Sequence, residues 1–293
     1  MYELIPVTEN NYYIQSPAKI GLVRLGDTDE VCLIDSGNDK DAGRKVRQIL
    51  DAHGWKLKAI YNTHSNADHI GGNKYLQGQT GCRIYAPGAE QAFTRYPVLE
   101  PAFLYGGYPC KDLRHKFLMA QESGAEVLTP EALPEGFQVL PLPGHFFDMA
   151  GYRTPDGVVY LADCLSSRET LEKYQIGFIY DVAAYLETLE MVKTLSARMF
   201  VPAHAPASEE IASLAQYNID KVQEIGERIL ELCREPLSFE TILQQLFAGY
   251  QLTMNFEQYV LVGSTVRSYL SWLKDTGRLN AFFSDNRLLW ERI

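Results

Sequence analysis

An α/β fold is predicted from three observations. Apolar, strand-like runs alternate along the chain with stretches whose apolar residues recur at helical spacing. Several runs end in an aspartate or a histidine: Asp35 after residues 31–34, Asp163 after 158–162 and His204 after 198–203. A further run, 57–61, leads into a polar cluster and then a helix. In α/β proteins such loops carry sites, because they present side chains at the carboxyl ends of strands.

The elements follow in order. Residues 2–35 hold several short strands, broken at Ser16-Pro17 and Gly26-Asp27. Residues 39–52 form a helix with Val46, Ile49 and Leu50 on one face, and His53 ends it before Gly54, where an imidazolium suits the helix C-terminus. Strand 57–61, a polar loop and a helix to residue 77 come next, then strand 82–85. Residues 137–163 read as strands around a Pro155-Asp156-Gly157 turn. An amphipathic helix over 181–196 feeds the strand that ends at His204. Beyond it lie helices over 209–232, 239–250 and 256–274, the last stopped at Thr276-Gly277, and a hairpin over 282–290.

The segment Thr63-His64-Ser65-Asn66-Ala67-Asp68-His69 gathers two histidines and an aspartate, ligand types that hold zinc and related divalent metals. The chain has six histidines, and two more of them stand at strand ends, His145 in the turn after Pro143-Gly144 and His204. These residues resemble the metallo-β-lactamase superfamily, whose pattern is an early Asp, Thr-His-x-His-x-Asp-His, a Gly-His turn, an Asp after a hairpin strand and a late His. Here they read as Asp35, Thr63 to His69, Gly144-His145, Asp163 and Ala203-His204. The match covers about the first two thirds of the chain, and five ordered elements are more specific than one short motif.

The resemblance implies a four-layer αβ/βα sandwich. It also implies two metal positions: one held by His64, His145 and the residue at 66, the other by Asp68, His69 and His204, with Asp163 able to bridge them. The family's second motif histidine is replaced here by Asn66, whose neutral amide oxygen is a weaker and harder ligand than imidazole. The expected cofactor is zinc, one or two ions per chain with unequal occupancy, with iron or manganese as alternatives. Asp68, His64 and Asp163 are the expected catalytic residues. Asp35 is expected to orient ligands through hydrogen bonds rather than to bind metal.

The implied reaction is hydrolysis of a small-molecule ester, thioester, lactone or amide by metal-activated water. Three alternatives stand beside it: a phosphodiesterase or ribonuclease, a mononuclear iron oxygenase and a non-catalytic metal-binding protein. Nucleic acid is a poor fit, because phosphate contacts need cations, whereas the chain carries a formal net charge of -10 and residues 232–293 balance six Lys+Arg against six Asp+Glu.

Residues 1–207 are expected to form the metallo-β-lactamase-like domain and 208–293 a helical module that resembles a winged helix. Within the first, residues 95–135 form an aromatic insertion, read as a lid over the site or as a contact in a homodimer. The five cysteines lack a CxxC pair, and no signal-like or membrane-spanning run is present, so a reducing, cytoplasmic location and no membrane partner are expected. Cys164, beside Asp163, reads as a core residue because neighbours on a strand face opposite ways.

Overall fold

The computed structural model describes residues 2–293. Four antiparallel strands, β1 (Glu3–Pro6), β2 (Asn11–Gln15), β3 (Ile20–Arg24) and β4 (Glu30–Ile34), open the chain. Helix α1 (Lys40–His53) follows, capped by the Asp39 side chain, which accepts from the amides of Asp41 and Ala42. Strand β5 (Lys56–Tyr61) then pairs parallel with β4.

The helix expected up to residue 77 is two helices, α2 (Ala67–Ile70) and α3 (Asn73–Thr80). The break at Gly71-Gly72 has a steric cause. A Cβ on Gly71 would lie 2.3 Å from the Asn38 carbonyl carbon, and one on Gly72 would lie 2.3 Å from the Ser36 carbonyl oxygen. The loop after β4 therefore presses directly on the α2–α3 backbone, which only glycine permits.

Strand β6 (Arg83–Ala86), helices α4 (Glu90–Arg95) and α5 (Leu99–Tyr105), and strand β7 (Ala125–Val127) come next. β7 pairs with β6, so residues 125–127 belong to the main sheet although they fall inside the stretch set apart as an insertion. The first sheet has seven strands in the order β1-β2-β3-β4-β5-β6-β7. The second has four, built from β8 (Gln138–Pro141), β9 (Ala150–Arg153), β10 (Val158–Ser166) and β11 (Met199–His204) in the order β11-β10-β9-β8. Between β10 and β11 lie α6 (Arg168–Tyr174) and α7 (Val182–Lys193).

The period-2 alternation of each strand builds the layers. In β4, Cys32 and Ile34 face the second sheet while Val31 and Leu33 face α1 and α3. In β10, Val158 and Tyr160 face inward, and Val159 and Leu161 meet the helices on the other side. The result is the four-layer arrangement: helix, sheet, sheet, helix.

Helix α8 (Ala212–Leu232) lies beside α7 in that outer layer. It leads into β12 (Leu237–Ser238), α9 (Phe239–Gly249), α10 (Phe256–Asp275) and the hairpin β13 (Leu279–Ser284) and β14 (Arg287–Arg292), with sheet order β12-β14-β13. The largest apolar cluster runs without a break from Val159, Leu161 and Phe200 through Leu189 and Ile225 to Leu243, Val266 and Leu270. Residue 208 thus divides the sequence but not the hydrophobic core. The insertion docks on the same helices: Leu104, Leu113 and Leu118 pack with Val260 of α10. Among the described residues no helix is long and apolar enough to cross a membrane.

A shared core makes a stability prediction. Leu270→Ala empties a site in α10 that is only 1% exposed, and it should cost about 2–5 kcal/mol. In urea, far-ultraviolet circular dichroism and tryptophan fluorescence should shift together to a lower midpoint. Two separate transitions, with only one moved, would show that residues 208–293 fold on their own.

Candidate metal centre

Loops from both sheets meet at one end of the sandwich. β4 delivers Asp35; the β5–α2 loop delivers His64 and Asn66, and α2 delivers Asp68 and His69. The β8–β9 turn delivers His145, β10 delivers Asp163 and β11 ends at His204. Asp163 does not close its strand as expected, because β10 continues to Ser166. The register with β11 shifts on both sides of Ala162, and Ala162 itself is left-handed at φ 52. Such a bulge re-aims one side chain of a strand, here Asp163. Cys164 stays in the core with no exposure.

Asp35 is also left-handed, at φ 63. Its Oδ1 accepts from the Thr63 amide at 2.8 Å, and its Oδ2 accepts from the Thr63 hydroxyl at 2.7 Å and from His69 Nδ1 at 2.8 Å. The Thr63 hydroxyl has one hydrogen and spends it on Asp35. Its oxygen therefore accepts from His64 Nδ1, 2.9 Å away. One carboxylate thus places the proton of both imidazoles on Nδ1 and leaves both Nε2 atoms facing the cluster, the ligand-orienting role expected of Asp35.

Two donor groups converge, each with ligand atoms within 4.8 Å of one another: Asp68, His69, Asp163 and His204, and His64, His145 and Asp163. His204 Nε2 lies 3.2 Å from Asp68 Oδ2 and 3.2 Å from Asp163 Oδ2. His145 Nε2 and His64 Nε2 lie 3.7 Å and 4.0 Å from Asp163 Oδ2. Among the described residues His64 Nε2 is buried without a hydrogen-bond partner, and His69 Nε2 and Asp163 Oδ1, 3.1 Å apart, have only each other. Buried polar atoms are seldom left unpaired. Imidazole nitrogens and carboxylate oxygens crowded around one centre, with one of them left unpaired, are a donor set that fits a divalent metal. Asn66 joins the cluster through a hydrogen bond, its Oδ1 accepting from His145 Nε2 at 3.2 Å.

Charge is balanced by mutual pairing. Burial lowers the His64 and His145 imidazoles below their usual range, so both are neutral, lone-pair-bearing groups. Burial opposes charge on His204 too, but Asp163 and Asp68 outweigh it and push the imidazole up to about 10. His69 is raised likewise, by Asp163, Asp68 and Asp35 against burial. Burial would raise the Asp68 and Asp163 carboxyls, yet the His69 and His204 rings hold both below the carboxylate range.

Two acids that the sequence did not single out support these loops. Glu90 is fully buried and accepts from the Ser65 amide at 3.0 Å, the Ser65 hydroxyl at 2.6 Å and the Asp148 amide at 2.9 Å. It thereby staples the loop of His64 to the turn of His145. Glu100, in α5, accepts from Asn66 Nδ2 at 2.8 Å. No sequence signal marks either acid, since their partners lie 25 to 58 positions away. His53 lies outside the site: its Nδ1 bonds the Ile49 carbonyl at 2.9 Å and its ring stacks on Trp55. His115 is likewise remote, 4.0 Å from Glu257 of α10.

Two measurements probe this scaffold. Asp35→Asn turns one acceptor oxygen into a donor and should weaken metal binding about 10–100-fold in chelator competition. Burial pushes the Glu90 carboxyl from 4.5 to about 7. A raised acid stabilises the fold fully below its unfolded value, and that contribution is lost as the pH rises through the folded one. Between roughly pH 5 and pH 8, metal-stripped wild type should lose about 2–3 kcal/mol relative to Glu90→Gln, which cannot titrate. Urea titrations at the two pH values read the difference, and parallel pH profiles for both proteins would contradict it.

Comparison with known proteins agrees with this geometry. The family model described as the metallo-beta-lactamase superfamily matches residues 15–204. A hydroxyacylglutathione hydrolase of Methylococcus capsulatus is 34% identical over 104 residues, 35% of each chain. That of Pseudomonas entomophila is 30% identical over 137 residues, 45% of this chain and 42% of the relative. One from Vibrio cholerae is 31% identical over 163 residues, 56% and 50%. The matched stretch therefore spans about a third to a half of the length of these relatives. In fold, the chain is similar to a metallo-beta-lactamase family protein of Thermus thermophilus, with TM-score 0.74 and 18% identity over 98% of this chain and 100% of that one. It is also similar to a beta-lactamase domain protein of Burkholderia ambifaria, with TM-score 0.72 and 18% identity over 99% and 94%. With the family pattern matched over most of the chain and its donor residues brought together in space, this protein belongs to the metallo-beta-lactamase superfamily.

Proposed function

We propose that the protein is a metal-dependent hydrolase of small thioesters. The observation that carries this is the convergence of His69, His204, Asp68 and Asp163, with His64 and His145 beside them, as two groups of metal-ligating atoms, those in each group within 4.8 Å of one another. The thioester follows from the relatives named hydroxyacylglutathione hydrolase. Asp68, His69, His204 and Asp163 would hold the main metal, and His64, His145, Asn66 and the shared Asp163 a second. A bound divalent metal, zinc being the first candidate, supplies a Lewis acid and lowers the pKa of water to ~7.

The chain's own groups do the rest. The Asp68 side chain is 41% exposed, so solvent reaches its carboxylate, which can accept a hydrogen bond from the attacking water and orient it. His64 and His145 are neutral, so as ligands they would keep a metal's positive charge beside the position where negative charge develops on a carbonyl oxygen. A cavity of about 50 Å³ adjoins His145 and Asp163 and is lined by Phe178, Tyr185, Val222 and Tyr269. At roughly 10–15 Å³ per water-sized group, it accommodates a short acyl chain. Tyr269 brings to that wall a buried hydroxyl that has no partner among the described residues, able to bond an oxygen of the acyl group. The acidic net charge of -10 favours such a small substrate over a nucleic acid.

Purified protein is expected to contain metal by elemental analysis and to release thiol from short-chain thioesters. Chelation should abolish turnover, and Asp68→Asn should lower kcat/KM roughly 100-fold or more. Inert thioesters together with cleavage of an activated phosphodiester would replace this function with phosphodiester hydrolysis. Thiol-dependent oxygen consumption with bound iron would replace it with an oxygenase.

A further inference from the structure

Asn66 stands where the family pattern has a histidine, and a free carboxamide could turn either its oxygen or its NH2 group to the cluster. Only the oxygen can bind a metal. In this chain the choice is made from outside the motif. Asn66 Nδ2 donates to Glu100 Oε1 at 2.8 Å, and this directs Oδ1 towards His145 Nε2, from which it accepts a hydrogen bond at 3.2 Å. Glu100 Oε1 accepts equally as a carboxylate or as the carbonyl of a carboxylic acid. Two atoms each ~2.1 Å from one ion in tetrahedral array lie about 3.4 Å apart, so Asn66 Oδ1 and His145 Nε2 already have the spacing of ligands to a common ion.

Glu100 is 4% exposed, and Asn66 is its one side-chain hydrogen-bond partner among the described residues. An acid that deeply buried is costly unless something is gained from its placement. Its helix is held firmly. Phe103 packs edge-on against Phe147 at 5.2 Å and Tyr180 at 5.6 Å, and Leu104 packs with Leu113, Leu118 and Val260. The aromatic insertion therefore brings one polar group to the centre, anchored from behind by α10.

Building on the metal-dependent reading above, we propose that Glu100 is a positioning residue. It locks the Asn66 carboxamide with its oxygen towards His64, His145 and Asp163, so that Asn66 serves as the fourth ligand of that position. The insertion thereby compensates for the missing histidine, and the position becomes a mixed nitrogen–oxygen site, harder than three imidazoles would make it.

Cobalt(II) titration of chelator-stripped protein, followed by the visible spectrum, tests this without reference to turnover. Wild type should bind two equivalents in two phases, the tighter at Asp68, His69 and His204. Glu100→Leu should keep the tighter phase and weaken the other about 10-fold or more. Asn66→Ala should do the same, and the double variant should lose nothing further, because Glu100 acts through Asn66. Glu100→Gln has the same size and keeps an acceptor oxygen, so it should retain both phases; it also serves if Glu100→Leu fails to fold. The proposal is overturned if Glu100→Leu titrates like wild type, if the losses in the double variant add, or if Glu100→Gln is as weak as Glu100→Leu. One equivalent in wild type would overturn it while leaving a single-metal hydrolase standing. No binding at all would remove the metal-dependent function itself.

Discussion

The buried carboxylate of Asp35 is the interaction on which the site depends. It sits at the end of β4 in a left-handed conformation that costs about 1–3 kcal/mol for a residue other than glycine. In return it meets three donors at once, two from Thr63 and one from His69. The Thr63 hydroxyl carries the same constraint on to His64. Two imidazoles from different parts of one motif are thereby oriented by a single group that touches no ligand atom of the cluster. The strain is retained because the surrounding contacts over-determine it.

The same design recurs around the centre. Ala162 is held left-handed at a bulge so that Asp163 turns into the cluster. Gly144, at φ 118, lets the turn before His145 lie against α7, where a Cβ would stand 2.3 Å from the Tyr185 backbone. Glu90 ties the two histidine-bearing loops together, and Glu100 fixes Asn66. Each support comes from an element that the motif does not contain. The sandwich supplies the rigid frame, and a few buried polar groups convert that frame into fixed ligand directions. Because the interior is a poor solvent for charge, these groups are tolerated only while they are mutually satisfied. What is left at the centre among the described residues is His64 Nε2 without a partner and the His69 Nε2–Asp163 Oδ1 pair beside it.

The helices after residue 208 belong to the same economy. They share a core with α7 and β10, place Tyr269 against the cavity beside His145 and Asp163, and hold α5 through Val260. A segment that reads in sequence as an appendage is thus in contact with the site by two routes.

The sequence by itself determined most of the strands and helices, because alternation and helical spacing are local properties of consecutive residues, whereas the four layers came from the family resemblance. It also determined which side chains gather, since His64, Asp68, His69, His145, Asp163 and His204 stand in a recognisable order at strand ends. Element ends were less legible. The split of α2 from α3 depends on a loop pressing on Gly71-Gly72, and the extension of β10 past Asp163 depends on pairing with β11. Only the tertiary structure decided what Asn66 faces, because its partners, Glu100 and His145, lie 34 and 79 positions away. The same holds for Glu90, Glu100 and Tyr269. An isolated acid or tyrosine has no local pattern, and its role exists only once burial removes water and leaves one partner within reach.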